Sequence, residues 1–118
     1  MFGTVLDSIV SKVEGTQAAV VMGMDGIAIE KRILEPSANV ETLAAEYTSL
    51  LRNSASKVND LALGLLQELV VSTDSRVIAT RMITADYFVL IVLGPDGNVG
   101  RARFELRKAQ HVLAEEFA

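Results

Sequence analysis

Apolar residues recur every three or four positions in some stretches of the chain and alternate or run together in others. Val5, Leu6, Ile9, Val10 and Val13 share one helical face, and Asp7, Ser8, Ser11 and Lys12 share the opposite one. This predicts a short amphipathic helix that ends near Gly15. Gln17 to Met22 is mostly small or β-branched and predicts a strand buried on both faces. Met24-Asp25-Gly26 is a turn signal, and from Ile27 to Ile33 apolar and polar residues alternate. The two strands therefore form a hairpin whose second member is an edge or half-exposed strand. After Pro36, either Ser37 or Asn39 can cap a long helix with Val40, Leu43, Ala44, Tyr47, Leu50, Leu51, Ala55, Val58, Leu61 and Ala62 on its apolar stripe; Gly64 can stop it. Three strands are predicted next, over Leu65–Thr73, Arg76–Thr84 and Tyr87–Leu93, separated by Asp74-Ser75 and Ala85-Asp86. Asn98 then caps a last helix with Val99, Ala102, Leu106, Ala109, Leu113 and Phe117 on its core face.

Short turns force antiparallel pairing. Tyr87–Leu93 is apolar throughout and must be a central strand covered on both sides. The expected fold is therefore α+β, in the order α-β-β-α-β-β-β-α, with helices on both faces of a five-stranded antiparallel sheet. The terminal helices take one face and the long middle helix the other. At 118 residues the chain has room for one domain, 1–118. Half of it is apolar and 22% charged, a composition that folds.

Charge and residue usage remove whole classes of function. With 11 basic and 15 acidic side chains the net charge is −4, which argues against nucleic acid or an anionic membrane as partner. There is no cysteine, which excludes disulfides, thiolate metal sites and a cysteine nucleophile. No apolar run approaches the ~20 residues of a membrane span, and no secretory signal is visible, so membrane insertion is not expected and a cytoplasmic location is.

The candidate chemistry is thin. Gly94 to Gly100 lies between a strand and a helix, as a phosphate cradle would. It lacks the Lys-Ser/Thr of a P-loop, and Asp96 would repel a phosphate, so a turn with an N-cap is the reading. His111, the single histidine, has no metal-ligating neighbours at useful spacing and reads as a partly buried structural residue. Asp25-Gly26 and Asp96-Gly97 lack the remaining ligands of a calcium loop. Glu41, Glu46, Glu115 and Glu116 read as solvated. Neither a catalytic residue, a cofactor site nor a metal site is expected, and the chain reads as a non-enzyme.

Three surfaces stand out instead. Opposite its apolar stripe the middle helix carries Glu41, Ala45, Thr48, Ser49, Arg52, Ser56 and Asn59. The small residues there admit a close partner, with Arg52 as a charged anchor. On the last helix Phe104 lies opposite the core stripe, flanked by Arg101, Arg103, Arg107 and Lys108. The third strand, with Leu69 and Val71, would be an apolar edge that invites pairing.

The segment "EGTQAAVVMGMDGIAIEKR" and the ending "DYFVLIVLGPDGNVGRARFELRKA" resemble the opening and close of the roadblock/dynein light chain family, and the order of elements matches over essentially the whole chain. Within the family the resemblance is to bacterial MglB-like regulators of small Ras-like GTPases. It implies a profilin- or longin-like sheet in the order 2-1-5-4-3. It also implies a homodimer or heterodimer made through the third strands and middle helices, and a platform for a small Ras-like GTPase whose hydrolysis such members stimulate. The partner-binding residues on this reading are Ala45, Thr48, Ser49, Arg52 and Ser56, and the dimer interface is Leu69, Val71, Ser49 and Ser56. The alternatives are a dimeric scaffold subunit without effect on a GTPase, and a small-ligand sensor domain.

Overall fold

In a computed structural model, which describes residues 1–36 and 39–117, the elements are α1 (Phe2–Lys12), β1 (Thr16–Gly23), β2 (Ala28–Ile33), α2 (Val40–Asp60), β3 (Glu68–Ser72), β4 (Val77–Met82), β5 (Tyr87–Leu93) and α3 (Val99–Glu116). The five strands form one antiparallel sheet in the order β2-β1-β5-β4-β3. From Phe88 to Leu93 every side chain of β5 is buried, as its composition requires of the middle strand.

Alternate residues of β1 and β5 feed two separate cores. Ala19, Val21, Val89, Ile91 and Leu93 pack with Leu6 and Ile9 of α1 and with Ala102, Leu106 and Leu113 of α3. Ala18, Val20, Phe88, Leu90 and Val92 pack with Val40, Ala44, Tyr47 and Leu51 of α2. The terminal helices therefore share one face and α2 holds the other, as the pattern predicts.

Local signals set the boundaries. Asp25 Oδ1 accepts from the Ile27 amide, and Gly26 takes a φ of 87°, which the β1–β2 turn requires. The Asn39 side chain accepts from the Thr42 amide and starts α2; Ser37, the other candidate cap, lies outside the described residues. The loops before β1 and before α3 approach closely at Gly15 and Gly97, since a Cβ on Gly15 would lie 2.7 Å from the Gly97 Cα.

The elements between α2 and β5 are shorter than predicted. α2 stops at Asp60, because Ala62 turns left-handed at φ 58° and Gly64 follows at φ 100°. Leu65, expected to open β3, is 88% exposed in the loop, and Leu61 is 68% exposed. β4 likewise ends at Met82 and not at Thr84.

Tyr47 ties α2 to the sheet. Its hydroxyl donates to the Leu69 carbonyl at 3.4 Å, and burial pushes its pKa up, an effect that the nearby Thr80 hydroxyl opposes. A raised phenol pKa favours the folded state up to the unfolded value near 10 and loses that support as pH rises through the folded value. Tyr47→Phe removes the titration. Chemical denaturation across alkaline pH should therefore find wild-type stability falling faster than that of Tyr47→Phe above about pH 10. Parallel pH profiles would mean that the phenol does not carry the effect.

Candidate interaction surface

The two edges of the sheet differ in chemistry. β2 carries Glu30, Lys31 and Arg32 in succession. Arg32 Nε meets Asp7 of α1 at 2.7 Å, and this pairing holds the guanidinium pKa above its usual value. Lys31 pairs with Glu41 of α2, which holds that carboxyl below the usual range. Charges of this kind blunt an edge. β3 carries Leu69, Val70 and Val71 instead, all partly buried.

Ladder parity identifies the unused groups of β3. Met82 N donates to Gln67 O, and Thr73 N donates to Arg76 O. Hydrogen-bonded pairs alternate in an antiparallel ladder, so Leu69 and Val71 turn their backbone groups to β4. Glu68, Val70 and Ser72 turn theirs to the outer edge. The side chains alternate as well: Leu69 and Val71 pack toward α2, whereas Val70 packs toward α3.

α2 lies across the sheet with two unlike flanks. On one, Glu41 reaches Lys31, and Arg52 Nη2 donates to the Met24 carbonyl at 2.5 Å. The other flank, displaced around the helix beyond Tyr47, carries Leu43, Leu50 and, at the cap, Leu61. Leu50 is 45% exposed, so it leaves the core stripe to which its hydrophobicity assigns it. This flank lies on the β3 side, the side to which the Tyr47 hydroxyl bonds.

Ala45, Ser49, Arg52 and Ser56 are all at least partly exposed, on the part of α2 turned away from the sheet. Thr48 is a correction. It is 1% exposed, its hydroxyl donates to the Ala44 carbonyl at 2.8 Å, and it lies against Met22. Back-bonding to the preceding turn satisfies the hydroxyl, which is how a threonine enters a core stripe that polarity alone would deny it. Arg52 differs from expectation too: its guanidinium already holds the β1–β2 turn. Ser49 and Ser56 lie away from the β3 flank, whereas Leu69 and Val71 are on β3 itself.

On α3, Phe104 is 51% exposed, with Arg101 and Lys108 5.6 and 5.5 Å from the ring centroid. Both cations also face the buried Glu105 carboxylate, at 3.4 and 3.6 Å. Arg103 meets Glu68 of β3 at 2.7 Å, which raises the guanidinium pKa. Glu105, on the buried face, carried no sequence signal apart from its flanking cations. His111 is exposed and not partly buried, because the core stripe passes through Ala109 and Leu113 on the other side of the helix. At the start of α3 the Asn98 side chain accepts from the Arg101 amide at 2.9 Å, so the cap occupies one of the donors that a phosphate would need.

No sequence-family model matches the chain, and no curated protein does. Solved structures do. MglC from Myxococcus xanthus is 33% identical, with 98% of each chain covered and a TM-score of 0.71. A roadblock/LC7 domain from Streptomyces avermitilis has a TM-score of 0.85 at 17% identity, covering 97% of this chain and 95% of its own. The gliding protein MglB from Thermus thermophilus has a TM-score of 0.86 at 16% identity, covering 98% of this chain and 89% of its own. Shape thus agrees with MglB and the roadblock/LC7 domain, while sequence identity is higher to MglC. With a third of its residues shared with MglC along nearly the full length of both chains, and with this sheet order and helix placement, the chain belongs to the roadblock/LC7 family.

Proposed function

We propose that the protein is a non-catalytic homodimeric interaction module that binds a small Ras-like GTPase on the outward face of α2 and regulates its GTP hydrolysis. The observation that carries the dimer is the continuity of two features without a partner among the described residues: the outer backbone groups of Glu68, Val70 and Ser72, and the exposed Leu50 and Leu61 beside them, with Leu43 half-buried between them and the core. Pairing β3 with its copy satisfies the first, and packing α2 beside its copy buries the second. Leu69 and Val71 then lie beneath the seam. Ser49 and Ser56 fit the GTPase face better than the seam, because they lie away from the β3 flank.

The GTPase as partner rests on family membership and on the character of that outward face. Ala45, Ser49 and Ser56 leave space for a partner backbone, and a fully solvated helix would carry more lysine and glutamate there. Thr48 contributes packing beneath this face and no direct contact. Arg52 supports the surface by holding Met24 in place, and its remaining donors are available to a carboxylate.

Sedimentation at micromolar concentration should give about twice 12.7 kDa. Val70→Pro removes an outward N–H and leaves the ladder to β4 intact, so it should shift the protein to monomer with an unchanged circular dichroism spectrum. A dimeric Val70→Pro protein would place the seam elsewhere.

Calorimetric titration with the GTP-bound form of a Ras-like GTPase from the same genome should show binding stronger than to the GDP-bound form. Ser49→Arg fills the small-residue face and should weaken binding about tenfold or more, roughly 1.4 kcal/mol, while the protein remains dimeric. Undiminished affinity in a dimeric Ser49→Arg protein would move the contact off α2. Arg52→Glu is the less specific probe, because it also releases the β1–β2 turn.

A further inference from the structure

A groove of about 560 Å³ crosses the end of the sheet where β4 finishes and β5 begins, between the C-terminal half of α2 and α3. Met82, Leu65 and Leu66 provide apolar surface along it, and Arg81 and Arg107 provide charge among neutral polar side chains such as Gln67, Thr84 and Gln110; no carboxylate lines it among the described residues. The chain as a whole carries a net charge of −4, so two arginines in a groove without a lining carboxylate run against its overall balance.

Arg81 is the decisive member. Its side chain is only 13% exposed, and its Nε is buried without a hydrogen-bond partner. The nearest carboxylate, Glu68, stands 3.9 Å from Arg81 Nη1, too far for a hydrogen bond, and gives its other oxygen to Arg103 at 2.7 Å. This ion pair includes no hydrogen bond and leaves donors of a largely desolvated guanidinium unsatisfied, and an incoming carboxylate that reaches them offsets that cost. Arg107 is exposed at the rim with no ion pair among the described residues. Leu65, the most exposed large apolar residue of the described chain, lines the same groove.

We propose that this groove binds a peptide segment of a partner protein in which carboxylates alternate with large apolar side chains. The cations meet the carboxylates, and Leu65, Leu66 and Met82 cover the apolar groups. A second copy of this chain is a poorer occupant. Its own segment of that composition, Glu115-Glu116-Phe117, is committed, since the Phe117 ring stacks on Tyr87 at 4.0 Å. The groove is separate from the outward face of α2, and the proposal does not depend on a GTPase.

The test is selection of phage-displayed random linear peptides on the purified full-length protein, followed by fluorescence anisotropy with the enriched peptides synthesised and labelled. The expected peptides combine Asp or Glu with Leu, Ile or Phe. Arg107→Glu and Leu65→Asp, both at exposed positions, should each weaken their binding about tenfold or more, and added salt should weaken it further. Asp74→Ala, in the exposed β3–β4 turn at the opposite end of β4 from Met82, should leave it unchanged. Failure to enrich any peptide, enrichment of peptides without acidic residues, or undiminished binding to Arg107→Glu would overturn the proposal. So would dissociation of the oligomer by Arg107→Glu in sedimentation, which would assign the groove to a second copy.

Discussion

A strand at the margin of a sheet satisfies its backbone on one side only, and in this fold β3 is the margin left uncovered. The opposite margin, β2, is guarded by Glu30, Lys31 and Arg32 and tied to α1 and α2 through Asp7 and Glu41. β3 has Leu69, Val70 and Val71 in the same role and outward amides at alternate positions. The asymmetry follows from β5. Being apolar on both faces, β5 must sit in the middle, which sends the polar hairpin strand to one edge and the short apolar strand to the other.

The placement of α2 follows from the same layering. One flank is fastened to the β1–β2 hairpin by Lys31–Glu41 and by Arg52 to the Met24 carbonyl. The buried stripe of Val40, Ala44, Tyr47 and Leu51 seats the helix on the sheet, and Leu50, outside that stripe, stays exposed beside β3. Two unsatisfied features, one of hydrogen bonding and one of hydrophobic burial, thereby come to lie side by side. Neither alone would argue for a partner, since single exposed leucines are ordinary and short edge strands are common.

Most of the architecture was legible in the sequence because its signals were redundant. β5 has no charged residue, α3 has both a cap and a periodic stripe, and the β1–β2 turn has Asp-Gly. The region from Leu61 to Gln67 was not legible, because a run of leucines reads as strand or helix by composition while Ala62 and Gly64 bend the backbone away from either. Side-chain polarity also misplaced individual residues. Thr48 is polar yet buried, since its hydroxyl is satisfied within the helix; Leu50 is apolar yet exposed, since its angular position falls outside the stripe through Ala44, Tyr47 and Leu51. His111 is exposed although it flanks core positions. What was legible is that β3 would be an apolar edge and that α2 would carry a small-residue outer face; which flank of α2 stays open was not, because it depends on how the helix is seated against the sheet.

The central claim is that the outer edge of β3 is occupied by a second copy. Amide hydrogen exchange, resolved by residue and followed across a concentration series, tests it directly. If the claim is right, the Glu68, Val70 and Ser72 amides gain protection in step with the dimer fraction, while the Leu69 and Val71 amides, already bonded to β4, are protected throughout. If the protein is dimeric by mass while those three amides exchange as freely as an open edge, the dimer is built on another surface and the account is wrong.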